Sequence, residues 1–289
     1  MSASPLTVVV HGATGAQGAP IARAMLTAGH RVRAAVRRPD PTRLPAGVEP
    51  VGVHLEDADG LARIYAGADA VVVHLPGPAV PDALAAVQAD AVLDALRRAA
   101  VPRAIFNASG AVWNEPVGVP FLDARTRLAG GLAGAVEVAT VLAPTTRYME
   151  NLAEPWVIAA LRDGVLRQPA PPGAAAPWLA LDDLATLAAD LLADPDPPDR
   201  LALVGPQSLT GQEVVATLSD ALGRKVRHET VSFAAYNEQV AATLGAQYAA
   251  GLAKLYAPDA RIPPPASFAT TATWTTTLAT WTRERAWPA

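Results

Sequence analysis

The sequence predicts an α/β protein: a doubly wound parallel sheet with helices on both faces, followed by a smaller C-terminal lobe. Three observations carry this. Short apolar runs alternate with helical patterns over the first 145 residues, the order a parallel sheet needs because each crossover must cover one face. A glycine array, Gly12, Gly15 and Gly18, separates the first apolar run from the first helical pattern. After Pro144 the rhythm changes, and a proline-rich stretch, "QPAPPGAAAP" at 168–177, reads as an exposed loop near a lobe boundary.

The strands read in order as 7–10, 31–36, 51–54, 70–74, 103–106 and 139–142. Between them "APIARAMLTAG", "LARIYAG", "LAAVQADAVLDALRRAA" and "TRLAGGLAGA" each wind as a helix with an apolar face. Past the loop, "WLALDDLATLAADLLAD" reads as a short strand and an amphipathic helix started at Asp182 and Asp183, which returns to the main sheet. A further strand ends at Gly205-Pro206, and Thr210 with Glu213 has the spacing of a capping box on a helix that Gly223 stops. The tail "TTTLATWTRERA" gives a last helix. These elements divide into a nucleotide-binding domain over 1–150 and a substrate lobe over 151–289, with 178–206 rejoining the first.

Composition narrows the function. Half of the 289 residues are hydrophobic, yet no run reaches the roughly 20 apolar residues of a membrane span. The start "MSASPLTVVV" has no basic segment ahead of an apolar one, so the expected location is the cytoplasm. The absence of cysteine excludes disulfides, thiolate metal sites and cysteine nucleophiles. A net charge of −4 without a basic block argues against nucleic acid as a ligand.

The glycines lie where a phosphate cradle would be. Glycine permits a tight turn and lets backbone amides approach a pyrophosphate, and the helix that follows adds a partial positive charge. This is the arrangement of a Rossmann dinucleotide site. The second strand ends "AAVRRPD", so Arg37 and Arg38 stand where an acidic residue would grip the ribose of NAD. Guanidinium groups there pair with a 2′-phosphate, which favours NADP(H).

"GATGAQG", "VRRP", "ATVLAPTTRYMEN", "WLALDDLA" and "LVGPQSLTGQEVVATLSDALGRKV" stand in the order shown by the NmrA-like, atypical branch of the short-chain dehydrogenase/reductases, which the chain resembles over most of residues 5–230. The resemblance implies that Gly12, Thr14, Gly15, Gln17 and Gly18 touch the pyrophosphate and Arg37 the 2′-phosphate. Leu75, Pro76, Asn107, Ala108 and Pro144 would follow the ribose and nicotinamide, and His54 replaces an aspartate beside the adenine. Relatives include quinone-reductase-like and isoflavone-reductase-like enzymes using NADPH and regulators that bind the nucleotide without known catalysis.

One departure shapes the chemistry. By the same resemblance, Arg125 occupies the position of a lysine and Phe121 that of the superfamily's tyrosine, four residues earlier. No tyrosine in the chain has a lysine four residues on, so no shifted copy restores the pair. Phenylalanine cannot deliver a proton to an alkoxide, and arginine, with a pKa above about 12, is a poor donor that can still bond ribose hydroxyls. Ordinary ketone reduction is disfavoured. Quinone or enone reduction is not, because its anion delocalises charge and, with a phenol-like pKa near 10, can take a proton from water.

The expected function is therefore NADPH-dependent reduction of a planar apolar carbonyl compound, with Ser109, Arg125 and His74 as candidate catalytic groups. Trp113, Phe121, Tyr148, Asn151, Trp156 and Trp178 are candidates for the substrate side. His11, His54 and His74 end strands but lack the spacing of a helical metal pair, so no metal is expected. Glu150 reads as structural. Two alternatives stay open: an NADP(H)-sensing regulator, and a non-redox enzyme of specialised metabolism that kept the nucleotide site.

Overall fold

Strand β1 (Thr7–His11) is buried along its whole length, as a run of β-branched residues covered on both faces must be. In the computed structural model, which describes residues 4–171, 173–256, 261–268, 270–271 and 274–287, it is an interior strand of an eight-stranded sheet, third from one end. The chain continues through α1 (Gly18–Thr27), β2 (Arg31–Val36), β3 (Glu49–Gly52), α2 (Ala58–Tyr65), β4 (Ala70–His74), α3 (Asp82–Arg98), β5 (Arg103–Asn107), α4 (Pro120–Gly131) and β6 (Val138–Pro144). After these come β7 (Arg147–Tyr148), α5 (Pro155–Arg162), β8 (Val165–Gln168), β9 (Ala176–Leu179) and α6 (Leu181–Ala193). Then follow β10 (Arg200–Leu203), β11 (Gln207–Leu209), α7 (Gly211–Leu222), β12 (Arg227–Thr230), α8 (Phe233–Leu244), α9 (Ala246–Tyr256), β13 (Thr270–Thr271) and α10 (Leu278–Glu284).

The large sheet runs β13-β10-β6-β5-β4-β1-β2-β3. Pairings β1–β2, β1–β4, β2–β3, β4–β5 and β5–β6 are all parallel. Between β1 and β4 the winding direction reverses, and at such a point the helices diverge and leave a crevice outside the carboxyl ends of the strands. Register places His11 beside Ala35, and His74 beside Asn107, so these end residues share one edge. This is the Rossmann-type α/β fold that the alternation of elements implied.

Two compact units divide the chain. The first takes in everything through Pro144 with Leu184–Ala202 and Pro263–Thr270; the second takes in Thr145–Asp183, Leu203–Ile262 and the residues from Thr271 on. In the first unit the return is fastened by Arg103, whose guanidinium donates to the carbonyls of Leu191, Leu192 and Asp194 at 3.0, 3.1 and 2.6 Å. A cation at the last carbonyls of α6 satisfies groups the helix cannot bond itself.

The second unit has its own core, in which Met149, Leu152, Leu161, Trp178, Leu218 and Trp281 are packed together. It holds a three-stranded sheet, β11-β9-β7, and the parallel pair β12–β8. The capping box is formed: Thr210 Oγ1 accepts from the Glu213 amide, and the Glu213 carboxylate accepts from the Thr210 amide at 2.8 Å. Gly223 ends α7 in the left-handed conformation.

Several boundaries shift by a residue or two from the sequence expectation, and two differences bear on the site. The third strand is residues 49–52 rather than 51–54, because its ladder with β2 closes at Val36↔Gly52 and leaves His54 beyond it. Helix α4 begins at Pro120, six residues before the expected 126, with proline supplying a preset φ at the first turn. The Asp123 carboxylate holds that entrance by accepting from the Val117 and Gly118 amides at 2.6 and 3.1 Å. Of the expected loop at 168–177, Pro172 lies outside the described residues, and the ends of the stretch belong to β8 and β9. Among the described residues, no helix is long and apolar enough to cross a membrane.

Candidate functional site

The site lies in the first unit at the carboxyl edge of β1, β4 and β5. Gly12 turns the chain out of β1 with φ +65°, a conformation in which a Cβ is disfavoured. Gly18 is needed for a different reason: a Cβ there would lie 2.3 Å from the Gly12 carbonyl oxygen and 2.7 Å from that of His11. Only glycine lets α1 start this close to β1. The turn is closed by the Gly15 amide on the Gly12 carbonyl (2.8 Å) and the Ala19 amide on the Gly15 carbonyl (3.1 Å). The amides of Thr14, Ala16 and Gln17 have no backbone acceptor among the described residues. Such a run of unclaimed donors ahead of a helix suits an anion.

A chain of hydrogen bonds ties this turn to the neighbouring strand ends. Asn107, fully buried at the end of β5, donates through Nδ2 to Gln17 Oε1 (2.9 Å) and accepts at Oδ1 from the Ser109 amide (3.0 Å). The Ser109 hydroxyl in turn meets His74 Nδ1 at 2.9 Å. Ser109 holds φ +58°, a left-handed conformation costing a non-glycine residue roughly 1–2 kcal/mol. Strain kept at this point aims the hydroxyl along the sheet edge. Leu75 and Ala108 are buried here, and the Ala108 amide bonds the Leu142 carbonyl at 2.9 Å, while Pro76 is partly exposed and Pro144, ending β6, is buried.

Phe121 and Arg125 stand one turn apart on α4, with the guanidinium 5.2 Å from the phenyl centroid. Both are buried, at 4% and 7% exposure. A Cβ on Gly110 would lie 3.3 Å from Arg125 Nη1, and one on Gly77 3.5 Å from Nη2. The cation is thus placed between the loops that follow β4 and β5, where two glycines leave room for it. The glycines are legible in "LPGPAV" and "ASGAV", but their use as walls for a guanidinium is not.

The electrostatics fix the state of the histidines. His74 is drawn from 6.5 to about 4, by burial first and then by the Arg125 cation, with a contact to the Asn107 backbone opposing. His11, fully buried and bonded through Nε2 to the Tyr65 hydroxyl at 2.6 Å, is drawn to about 3, by burial first and then by His74. Burial likewise raises the Tyr65 phenol. Both imidazoles are neutral at pH 7, so His74 is not a ready imidazolium acid.

This has a consequence for stability. Between pH 6.5 and 4 the unfolded chain takes up two protons that folded His74 and His11 refuse, so stability falls as pH falls through that window. Each proton is worth about 1.4 kcal/mol per pH unit, and the two together predict a loss of about 2 kcal/mol from pH 6 to pH 5. Urea unfolding at the two pH values measures it, and His11→Phe should flatten the slope by about one proton.

Arg37 and Arg38 are exposed just past β2, and neither makes an ion pair among the described residues. His54 is exposed, with Nδ1 3.5 Å from the Glu56 carboxylate. Trp113 is buried, and its indole donates to the Pro263 carbonyl at 2.8 Å, which accounts for it as packing within the first unit.

The remaining candidates lie in the second unit. Trp178, at 2% exposure, is part of that unit's core. Tyr148 is buried, Trp156 is partly buried on α5, and Asn151 is exposed. Glu150 accepts from the Leu181 amide and, at 3.0 Å, from the Trp281 indole, a structural use that leaves its carboxyl raised by burial. Among the described residues no cluster of histidine and carboxylate groups could hold a metal.

A parallel sheet reversing beside a glycine turn, with a polar network at its carboxyl edge, defines a Rossmann-type protein of the dinucleotide-binding class. The chain belongs to the NmrA-like family, whose model matches residues 5–258. Among solved structures it is similar to a nucleoside-diphosphate-sugar epimerase from Staphylococcus aureus, at 19% identity and TM-score 0.68, covering 96% of this chain and 100% of that one. It is also similar to the Citrobacter sp. triphenylmethane reductase complexed with NADP(H), at 22% identity and TM-score 0.67, covering 89% and 96%. A third is the NADPH-dependent quinone oxidoreductase of Escherichia coli complexed with NADPH, at 19% and TM-score 0.66, covering 96% and 99%. At these identities the likeness is one of fold. No curated protein matches the chain.

Proposed function

We propose that the protein is an NADPH-dependent reductase of planar apolar carbonyl compounds, of quinone or enone type, working without a tyrosine acid. The observation that carries this is the Gln17–Asn107–Ser109–His74 chain of bonds, which joins the glycine turn to a serine hydroxyl beside a buried cation; the family resemblance puts Phe121 where the acid would stand. The reductases among its fold neighbours, crystallised with NADP(H) or NADPH, support the same class.

The residues present fit a phosphorylated dinucleotide. Unclaimed amides of the glycine turn would take the pyrophosphate, Arg37 and Arg38 the 2′-phosphate, and Asn107, Ala108 and Pro144 the nicotinamide side. When bound, NADPH supplies a hydride. The chain's own groups then have two tasks. With its proton on Nδ1, neutral His74 donates to Ser109 Oγ, and the serine's own proton is left to hold a substrate oxygen. Arg125, placed beside Ser109 by the gap at Gly110, favours negative charge on that oxygen as the hydride is accepted. Water completes the second half of the balance, one proton for each hydride, because a quinol-type oxyanion survives long enough to be protonated from solvent.

NADPH oxidation with a panel of quinones, enones and simple ketones tests this. Turnover is expected with the first two and not with the third. Tight NADPH binding without turnover on any quinone or enone would instead favour a sensor of the nucleotide. Within the active panel, Ser109→Gly should release the left-handed strain and hold or raise stability by up to about 1 kcal/mol. The same change should lower kcat about 10- to 100-fold with NADPH affinity unaltered. Thermal melts and steady-state kinetics on one preparation read both effects.

A further inference from the structure

We infer that the second unit carries an anion site of its own, built on the Arg147 guanidinium, for small planar carboxylates. Arg147 opens β7 and pairs in register with Trp178 of β9. Its guanidinium lies 5.7 Å from the centroid of that indole. The side chain is only partly exposed, and among the described residues no carboxylate or carbonyl accepts from it. A guanidinium lying over an indole, with no acceptor for its donors among the described residues, presents a planar fork, the shape that a carboxylate fills with two parallel bonds.

The groups near it are unsatisfied in the same way. Both ring nitrogens of His228 are buried without a hydrogen-bond partner among the described residues, as is Trp178 Nε1. The imidazole is held tightly, since a Cβ on Gly211 at the start of α7 would come within 2.5 Å of it. Native proteins leave few buried polar atoms unbonded, because each costs about 1–3 kcal/mol. Several in one small unit point to a partner that supplies the missing bonds.

The charge state selects the ligand. Burial, and after it the Arg147 cation, lowers the His228 pKa, so the imidazole offers one donor and one acceptor rather than a second positive charge. Burial raises the Tyr236 phenol, and Arg147 acts against that rise, which places this ring near the guanidinium as well. The Glu154 carboxyl, raised by burial, acts on the Tyr236 phenol and makes no ion pair with Arg147 among the described residues. One fixed cation with neutral donors suits a monoanion such as a carboxylate, and the rings of Trp178 and Tyr236 suit a flat body attached to it.

Calorimetric titration of the whole protein with benzoate and with benzamide, its neutral isostere, tests the site. Benzoate is expected to bind at least tenfold more tightly, and Arg147→Met, which keeps a long apolar side chain over Trp178, to abolish the difference. Arg147→Lys should retain part of it. Equal affinity for the two probes in the wild type, or a preference surviving in a folded Arg147→Met, would overturn the assignment. If Arg147→Met fails the check by circular dichroism, wild-type NMR decides: benzoate should move the Trp178 indole resonance, assigned through Trp178→Phe, and an unmoved resonance at saturation would refute the site. None of these readouts needs the nucleotide or any turnover, so the result is separate from that for the reductase.

Discussion

Gly18→Ala is expected to raise the NADPH dissociation constant at least 30-fold and to lower the melting temperature by several degrees. The added methyl would stand 2.3 Å from the Gly12 carbonyl oxygen, 2.4 Å from its carbon and 2.7 Å from the His11 carbonyl oxygen. All three are backbone atoms, so no side chain can swing aside to make room. Either α1 retreats from β1 or the glycine turn opens, and overpacking of this sort typically costs about 1–3 kcal/mol. The same movement would misplace the amides proposed to take the pyrophosphate, and every 1.4 kcal/mol lost there is about tenfold in affinity. Gly15→Ala provides the control: its methyl would meet the same oxygen at 3.3 Å, a contact the loop can relieve by a few tenths of an ångström. Isothermal titration and melting of both variants should rank them far apart, and equal losses would mean that close approach is not what Gly18 provides.

Arg37→Glu is expected to weaken NADPH binding about 100-fold while changing NADH by less than threefold, so that the preference inverts. Arg37 is exposed beyond the end of β2 and has no ion-pair partner among the described residues. Its replacement therefore breaks nothing in the folded protein, and stability should stay within about 0.5 kcal/mol of the original. On the proposed reading, what changes is the potential at the 2′-phosphate, where an attractive, hydrogen-bonding fork becomes a repelling carboxylate. Arg38→Glu should show a smaller effect in the same direction if the two share the task. A variant that loses both nucleotides equally would place Arg37 on the pyrophosphate or on the fold.

The features legible in the sequence are local. The strand–glycine–helix succession of residues 7–27 is continuous in the chain, its residue types answer to backbone geometry, and β1 and α1 form close to where the pattern put them. The capping box of Thr210 and Glu213 spans three residues and forms as read. His74 and Ser109 lie at or just past strand ends in the sequence pattern, and parallel strands bring their carboxyl ends to one edge whatever the sequence distance. The bond between His74 and Ser109 joins residues 35 apart, and its existence depends on a left-handed serine that no spacing reveals. The aromatic residues were least legible. Trp113 and Trp178 have the same composition whether they line a cleft or fill a core, and only packing separates the cases. Arg147, inside "ATVLAPTTRYMEN", carries no signal as a lone arginine beside a strand until its place over the Trp178 indole is seen.

The most direct test of the account is calorimetric titration of the wild-type protein with NADPH and with NADH. The glycine turn, the unclaimed amides beyond it and the paired arginines predict saturable binding of NADPH with micromolar or tighter affinity, and at least tenfold weaker binding of NADH. Failure of the protein to bind either dinucleotide would contradict the account at its base.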